Sequence, residues 1–268
     1  MATIESWLRR VRTGRARRAL ARQWAYQQRT VGPLGAAEVL AYITRNARAA
    51  RALIESVAPM SGSARVLEVG CGSRGVVFCW DAAALRVGVD PLAVEYAGAF
   101  GAWQRRALTC AAGGESLPFA DAAFDVVLCD NVIDHAGDPE AIVRELARVL
   151  APGGVLYFTV NVHHPVYHVA AWAHAAWSSL GIPVEIGPFA DHTVHLTLRQ
   201  ARRLVQSLPV QVALERDGVA AARSRDRRRP PRHVGDRLKR LFFKNARYQV
   251  VARRLAPESA PTLTRQAL

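Results

Sequence analysis

At 268 residues, half of them hydrophobic and 22% charged, the chain can bury the core of one large domain with extensions at its ends. It has no run of 18 apolar residues, so no membrane-spanning helix is expected; the nearest approach, residues 166–177, contains His168 and His174 and reads as an amphipathic helix lining a pocket. The formal net charge of +14 is unevenly placed: residues 1–30 hold a net +7, residues 216–254 a net +11, and the remainder a net −4. Such ends fit contact with a polyanion, either nucleic acid or an anionic membrane surface, and fit equally a solvated arginine face in a chain rich in Ala and Arg. Aromatic side chains are sparse there: Trp7, Trp24 and Tyr26 at one end, Phe242 and Phe243 at the other.

The cysteines, Cys71, Cys79, Cys110 and Cys129, include no C-x-x-C pair. That pattern argues against a disulfide framework and a cysteine zinc site, and fits a reducing, cytoplasmic setting. The first thirty residues are Arg-rich and acid-poor like a transit peptide, but lack its serine enrichment, and no secretory signal is recognisable.

In chain order, residues 3–28 are strong helix formers and stop at Gly32-Pro33. A second helix is expected over 36–57. Residues 65–69, RVLEV, read as a short apolar strand running into glycines, and 76–80, VVFCW, as the opening of a helix. A strand at 85–90 ends in Asp90; 91–110 starts helical and finishes with a short strand at 107–110. Residues 124–130, FDVVLCD, form a strand apolar on both faces. Helix 139–150 has Asp138 as N-cap, Pro139 in its first turn and Pro152-Gly153-Gly154 at its exit. Strands follow at 155–161, 210–215 and 246–254, with a helix at 197–208. No helix is evident between the last two strands, which can pair antiparallel around the basic loop 216–244. Strands alternating with helices at this spacing predict a parallel, doubly wound sheet.

The run 66–76, VLEVGCGSRGV, carries Gly70-x-Gly72-x-x-Gly75 with Asp90 twenty positions past Gly70. By spacing alone this is the dinucleotide fingerprint of an NAD-dependent oxidoreductase. The glycines and a ribose-binding Asp90 suit S-adenosylmethionine equally. Glu68 separates the two, because a carboxylate beside the loop repels a pyrophosphate and attracts an ammonium and a sulfonium. Asp130 and Asp134, just after the fourth strand, add negative charge in the same place.

The segments VLEVGCG (66–72), VGVD (87–90), ESLPF (115–119), FDVVLCDN (124–131) and PEAIVRELARVLAPGG (139–154) follow one another in an order that resembles the class I S-adenosylmethionine-dependent methyltransferases, in their small-molecule, type 11 branch. The resemblance covers residues 64–161. It implies a Rossmann-like doubly wound seven-stranded sheet, mostly parallel with an antiparallel last strand and here preceded by an N-terminal helical extension, with S-adenosylmethionine as cofactor and a small or medium organic molecule as acceptor. It also implies that Glu68, Gly70 and Gly72 face the methionine part of the donor and Asp90 its ribose. Leu92 then lies beside the adenine, Gly114 and Glu115 near the adenine amino group, and Asp130 and Asn131 at the amino-acid end. The chain departs from the family pattern twice: Arg74 occupies the third position of G-x-G-x-G, and Gly113 stands where an acid is usual.

Methyl transfer to a protonated nucleophile gains from a base, and histidine is the type suited to neutral pH. His135, His163, His164, His168, His174, His192 and His195 cluster between the fourth strand and the helix at 197–208. His135 and His164, just past two strand ends, are the leading candidates for the base. His192 and His195 with Asp191 offer a metal alternative, but no metal is expected. Tyr167, Trp172, Trp177 and Phe189 are candidate pocket walls. The organisation read from these features is a basic helical extension or cap over 1–58, a cofactor-binding core over 59–215, and a basic loop, closing strand and tail over 216–268.

Overall fold

The computed structural model of the chain describes residues 19–81, 83–167, 194–228, 230, 242–243 and 245–256. The sequence readings at Trp7, His168, Trp172, His174, Trp177, Phe189 and His192 lie outside these residues. Helix α1 covers 19–30 and α2 covers Ala36–Glu55. Strand β1 (Arg65–Val69) leads into a 3-10 turn, Val76–Cys79. Then come β2 (Leu85–Val89), α3 (Ala93–Ala99), α4 (Gly101–Gln104), β3 (Leu108–Cys110) and β4 (Phe124–Asp130). The chain continues with α5 (Pro139–Val149), β5 (Leu150–Val162), α6 (Leu198–Gln206), β6 (Val210–Asp217), α7 (Val219–Arg228) and β7 (Ala246–Arg254).

The seven strands form one sheet in the order β3-β2-β1-β4-β5-β7-β6. Strands β1 to β5 run parallel, whereas β7 is antiparallel to both β5 and β6. The chain winds outward from β1 to β3, then crosses back so that β4 pairs with the other edge of β1. A crevice therefore opens at the carboxyl ends of β1 and β4, where the two winding directions part.

Each face of the sheet carries its own core. On one, Leu67, Val127, Phe158 and Val250 pack against Ile142, Val143 and Leu146 of α5 and Ala201 and Val205 of α6. On the other, Val66, Val126 and Leu128 meet Val39, Ile43, Ala47, Ala50 and Ile54, a stripe spaced by three and four along α2. Trp24 of α1 joins this second core, with its ring 5.8 Å from Tyr96 and 6.3 Å from Phe100. The N-terminal helices are thus packed onto the sheet rather than strung beside it.

Local signals explain the element ends. The Asp138 side chain accepts the Ala141 N–H at 3.0 Å, capping α5 as expected. Thr197 and Gln200 form a capping box at the start of α6. At the opposite end of the sheet from the crevice, Asp125 takes the backbone N–H of Arg65 and a forked pair of bonds from its guanidinium, tying the start of β4 to that of β1.

Three expectations are corrected. Residues 76–80 do not open an α-helix: the five side chains are β-branched, aromatic or cysteine, and all are buried, so no amphipathic stripe exists and a single 3-10 turn forms. A helix, α7, does occupy the start of the basic segment between β6 and β7. Its one buried side chain, Ala222, gives it almost no apolar pattern to read; Arg223, Arg225, Arg227 and Arg228 are exposed. The helical start expected for 91–110 is divided at Phe100 into α3 and α4, ahead of the expected short strand.

Ile43 is fully buried at the centre of the α2 stripe. Ile43→Ala should destabilise the protein by about 2–5 kcal/mol, read as a lower denaturation midpoint in urea, because the cavity it leaves is walled by sheet and helix and cannot collapse freely.

Candidate active site

The glycine loop leaves β1 with two residues in the left-handed region, Gly70 at φ +71° and Gly72 at φ +54°. A Cβ at Gly70 would collide with Val132, so side-chain packing as well as backbone conformation requires glycine there. Gly72 is different. No atom lies within 4 Å of where its Cβ would stand, so the backbone is open to the approach of a ligand.

Glu68 lies beneath this loop rather than on its open side. Its side chain is buried, and one carboxylate oxygen accepts the Val77 N–H at 2.8 Å. Burial pushes its pKa up to about 8; the Val77 and Val76 N–H groups oppose that rise, and the charges of Asp130 and Asp90 add to it. Asp90, at the tip of β2, accepts the Gly72 N–H at 3.0 Å with one oxygen and the Leu92 N–H at 2.8 Å with the other. Burial raises its pKa too, against those two bonds. Each Asp90 oxygen keeps a second lone pair for a ligand hydroxyl. Leu92 is buried at the start of α3.

Arg74, the residue that breaks the usual glycine pattern, turns to α2. Its guanidinium carbon lies 4.8 Å from the centre of the Tyr42 ring, in a cation–π contact.

Across the crevice, Asp130 ends β4. It accepts a bond from the Thr159 hydroxyl and a 2.9 Å ion pair from Arg247 of β7, whose guanidinium also reaches the Tyr157 hydroxyl at 3.3 Å. Asn131 follows at φ +60°, a conformation asparagine tolerates, and its side-chain oxygen takes the Asn161 N–H at 3.2 Å. Gly114 and Glu115 are held from the side: Glu115 accepts the Gly137 N–H at 3.0 Å. Arg148 donates to the Leu117 and Phe119 carbonyls and to Asp121 and Glu145. Glu68, Asp90, Asp130 and their loops therefore converge on the ends of β1, β2 and β4, and Gly114 approaches within reach of Val69.

The histidines separate into two kinds. His163 and His195 are buried against each other, with ring centroids 4.8 Å apart, and the backbone N–H of His163 donates to the Leu196 carbonyl. His135 and His164 lie nearer the surface. His135 ends a 3-10 turn after β4, with its Nε2 3.8 Å from Asp134. His164 packs on Phe242 and Phe243, and its Nδ1 accepts the Val166 N–H at 3.3 Å. Desolvation, and then the Arg223 charge, lower its pKa and favour the neutral base form.

Sequence reasoning missed Arg247 and Gln249. A signal was present in the alternation of ARYQVV at 246–251, where two polar side chains share one face of an otherwise apolar strand. Gln249 donates to the Tyr157 hydroxyl at 2.8 Å.

Glu68 generates a pH dependence of stability. In the unfolded chain the carboxyl titrates at 4.5, in the fold at about 8. The fold thus favours the protonated form, a contribution complete below pH 4.5 and lost as the pH climbs through 8. In urea titrations from pH 5 to about pH 8, the wild type should lose stability relative to Glu68→Gln, which cannot ionise; parallel profiles would contradict the assignment.

Residues 67–158 match a family described as a methyltransferase domain. An uncharacterized methyltransferase of a Mycobacterium species is 35% identical over 86 residues, covering 32% of this chain and 25% of the relative. The ubiquinone biosynthesis O-methyltransferase of Pseudomonas putida is 33% identical over 129 residues, covering 44% of this chain and 53% of the relative. The chain thus spans between a quarter and about half the length of these relatives. Among solved structures, the YcgJ protein of Bacillus subtilis superposes with a TM-score of 0.53 at 16% identity, covering 78% of this chain and 99% of that one, a likeness of fold. Residues 67–158, which carry the glycine loop, Asp90, Glu115 and Asp130, are thus similar to a methyltransferase domain.

Proposed function

We propose that the whole chain is an S-adenosylmethionine-dependent methyltransferase acting on a small or medium organic acceptor. The observation that carries this reading is the carboxylate set, Glu68, Asp90 and Asp130, gathered around a glycine loop whose backbone is open at Gly72. These residues fit a cationic donor. A dinucleotide would bring its anionic pyrophosphate to the same loop, between the carboxylates of Asp90 and Asp130 and above an acid that it would hold protonated, so the site gains nothing from Glu68 and is repelled by the other two.

When bound, the donor supplies a methyl group on a sulfonium, taken by the acceptor in an in-line displacement that depends chiefly on positioning. Asp90 accepts the ribose hydroxyls with its remaining lone pairs, and Leu92 borders the adenine. Gly114 and Glu115 border the adenine amino group, with the Glu115 carboxylate steadied by the Gly137 N–H. Gly70, Gly72, Asp130 and Asn131 border the amino-acid end, and Glu68 acts on the donor's positive charge from beneath the loop. For an acceptor that must lose a proton, His135 and His164 are the candidate bases, and the lowered pKa of His164 keeps its imidazole in the neutral form that can accept one.

Calorimetry tests this reading. The purified protein should bind S-adenosylhomocysteine, and Asp90→Ala should weaken that binding about tenfold to a hundredfold, the worth of hydrogen bonds to a charged group at about 1.5–3 kcal/mol. No binding by the wild type, together with binding of NAD, would replace the methyltransferase with an oxidoreductase.

A further inference from the structure

The outer side of the glycine loop is held by parts of the chain that belong to no strand of the sheet. The Ser73 hydroxyl donates to the side-chain oxygen of Gln27 on α1 at 2.7 Å, in a buried contact between residues 46 positions apart. The Ser73 carbonyl accepts two further bonds, from Trp103 Nε1 at 2.6 Å and Gln104 Nε2 at 3.1 Å, and Gln104 also reaches the Gly72 carbonyl at 3.1 Å. Gln27, Ser73, Trp103 and Gln104 are all buried. On the other side of the same two residues, the Gly72 N–H is taken by Asp90. The peptide that a ligand meets at Gly72 is therefore fixed from both sides, by a carboxylate at the end of β2 and by a clamp from α1 and α4.

We propose that Gln27 is a positioning residue for the donor: it acts through Ser73 to hold the Gly72 backbone in its binding conformation, so α1 is a working part of the cofactor site. Two features of the packing require α1 for this role. Trp24, less than one turn before Gln27, packs at a tilt against Tyr96 and Phe100, and Phe100 in turn stacks on Trp103 at 5.5 Å, so α1 supports both the Gln27 and the Trp103 arms of the clamp. The Ser73 hydroxyl is enclosed, so loss of its acceptor leaves a buried donor that only a shift of the loop can satisfy.

The inference rests on the proposed donor site, and its test separates the two. S-adenosylhomocysteine affinity and melting temperature are measured for the wild type, Gln27→Met, Ser73→Ala and the double variant. Methionine keeps the shape of glutamine without its hydrogen-bonding oxygen, so the α1 packing survives. Each single variant should weaken binding about fivefold, one hydrogen bond's worth, and the double variant should bind no more weakly than the weaker single. Lower melting temperatures with unchanged affinity would make Gln27 merely structural and overturn the inference, as would single effects that simply add. A wild type that binds no S-adenosylhomocysteine would instead overturn the donor site itself.

Discussion

A carboxylic acid buried under a tight turn is the constraint from which the site takes its shape. Glu68 sits at the end of β1, facing the core that α2 covers, where an apolar residue would be the default. Its oxygen takes the Val77 N–H, so the chain must turn back above it within a few residues. That bond adds to the wholly buried, stripeless side chains of 76–80 in favouring a short 3-10 turn over a full helix. Burial also keeps the acid protonated near neutral pH, with Asp90 and Asp130 reinforcing the effect. An acid in that condition is a latent negative charge: a cation arriving above the loop is offered a carboxylate as soon as the proton leaves.

The rest of the fold serves to hold that loop still. The sheet delivers Asp90 and Asp130 to either side of it, and the reversal of strand order keeps the space above it open. Asp130 is not left bare, because Thr159 and Arg247 bond to it and Tyr157 and Gln249 extend the network along β5 and β7. Strand β7 can contribute because it lies between β5 and β6 rather than at an edge. The antiparallel closing strand therefore adds a charge to the crevice rim as well as completing the sheet.

The sheet was legible in the sequence wherever hydrophobic period and cap chemistry coincided. Strands β1, β4 and β7 fall where RVLEV, FDVVLCD and ARYQVVARR place them, and Asp138 caps α5 as its position before Pro139 implies. The carboxylates at the ends of β1, β2 and β4 were legible for the same reason, since a strand pattern fixes where its last residue points. Contacts between distant segments were not legible. Gln27 and Ser73, or Asp130 and Arg247, are polar residues with no local partner, and only the folded chain brings them together. Helix α7 escaped notice because its arginines face solvent and a single alanine anchors it; a helix without an apolar stripe leaves no period to detect. Arg74 stands out in the sequence only as a break in the glycine pattern, and its contact with Tyr42 depends on how α2 lies over the loop.

The site's preference for a cationic donor depends on Glu68 being protonated in the free protein and ionised beside the donor. Proton uptake or release on binding S-adenosylmethionine, measured calorimetrically at pH 7 in buffers of different ionisation enthalpy, tests that most directly. The prediction is release of a proton by the wild type and loss of that release in Glu68→Gln, because the donor's positive charge draws the Glu68 pKa down from about 8. Binding with the same proton balance in both proteins would contradict it.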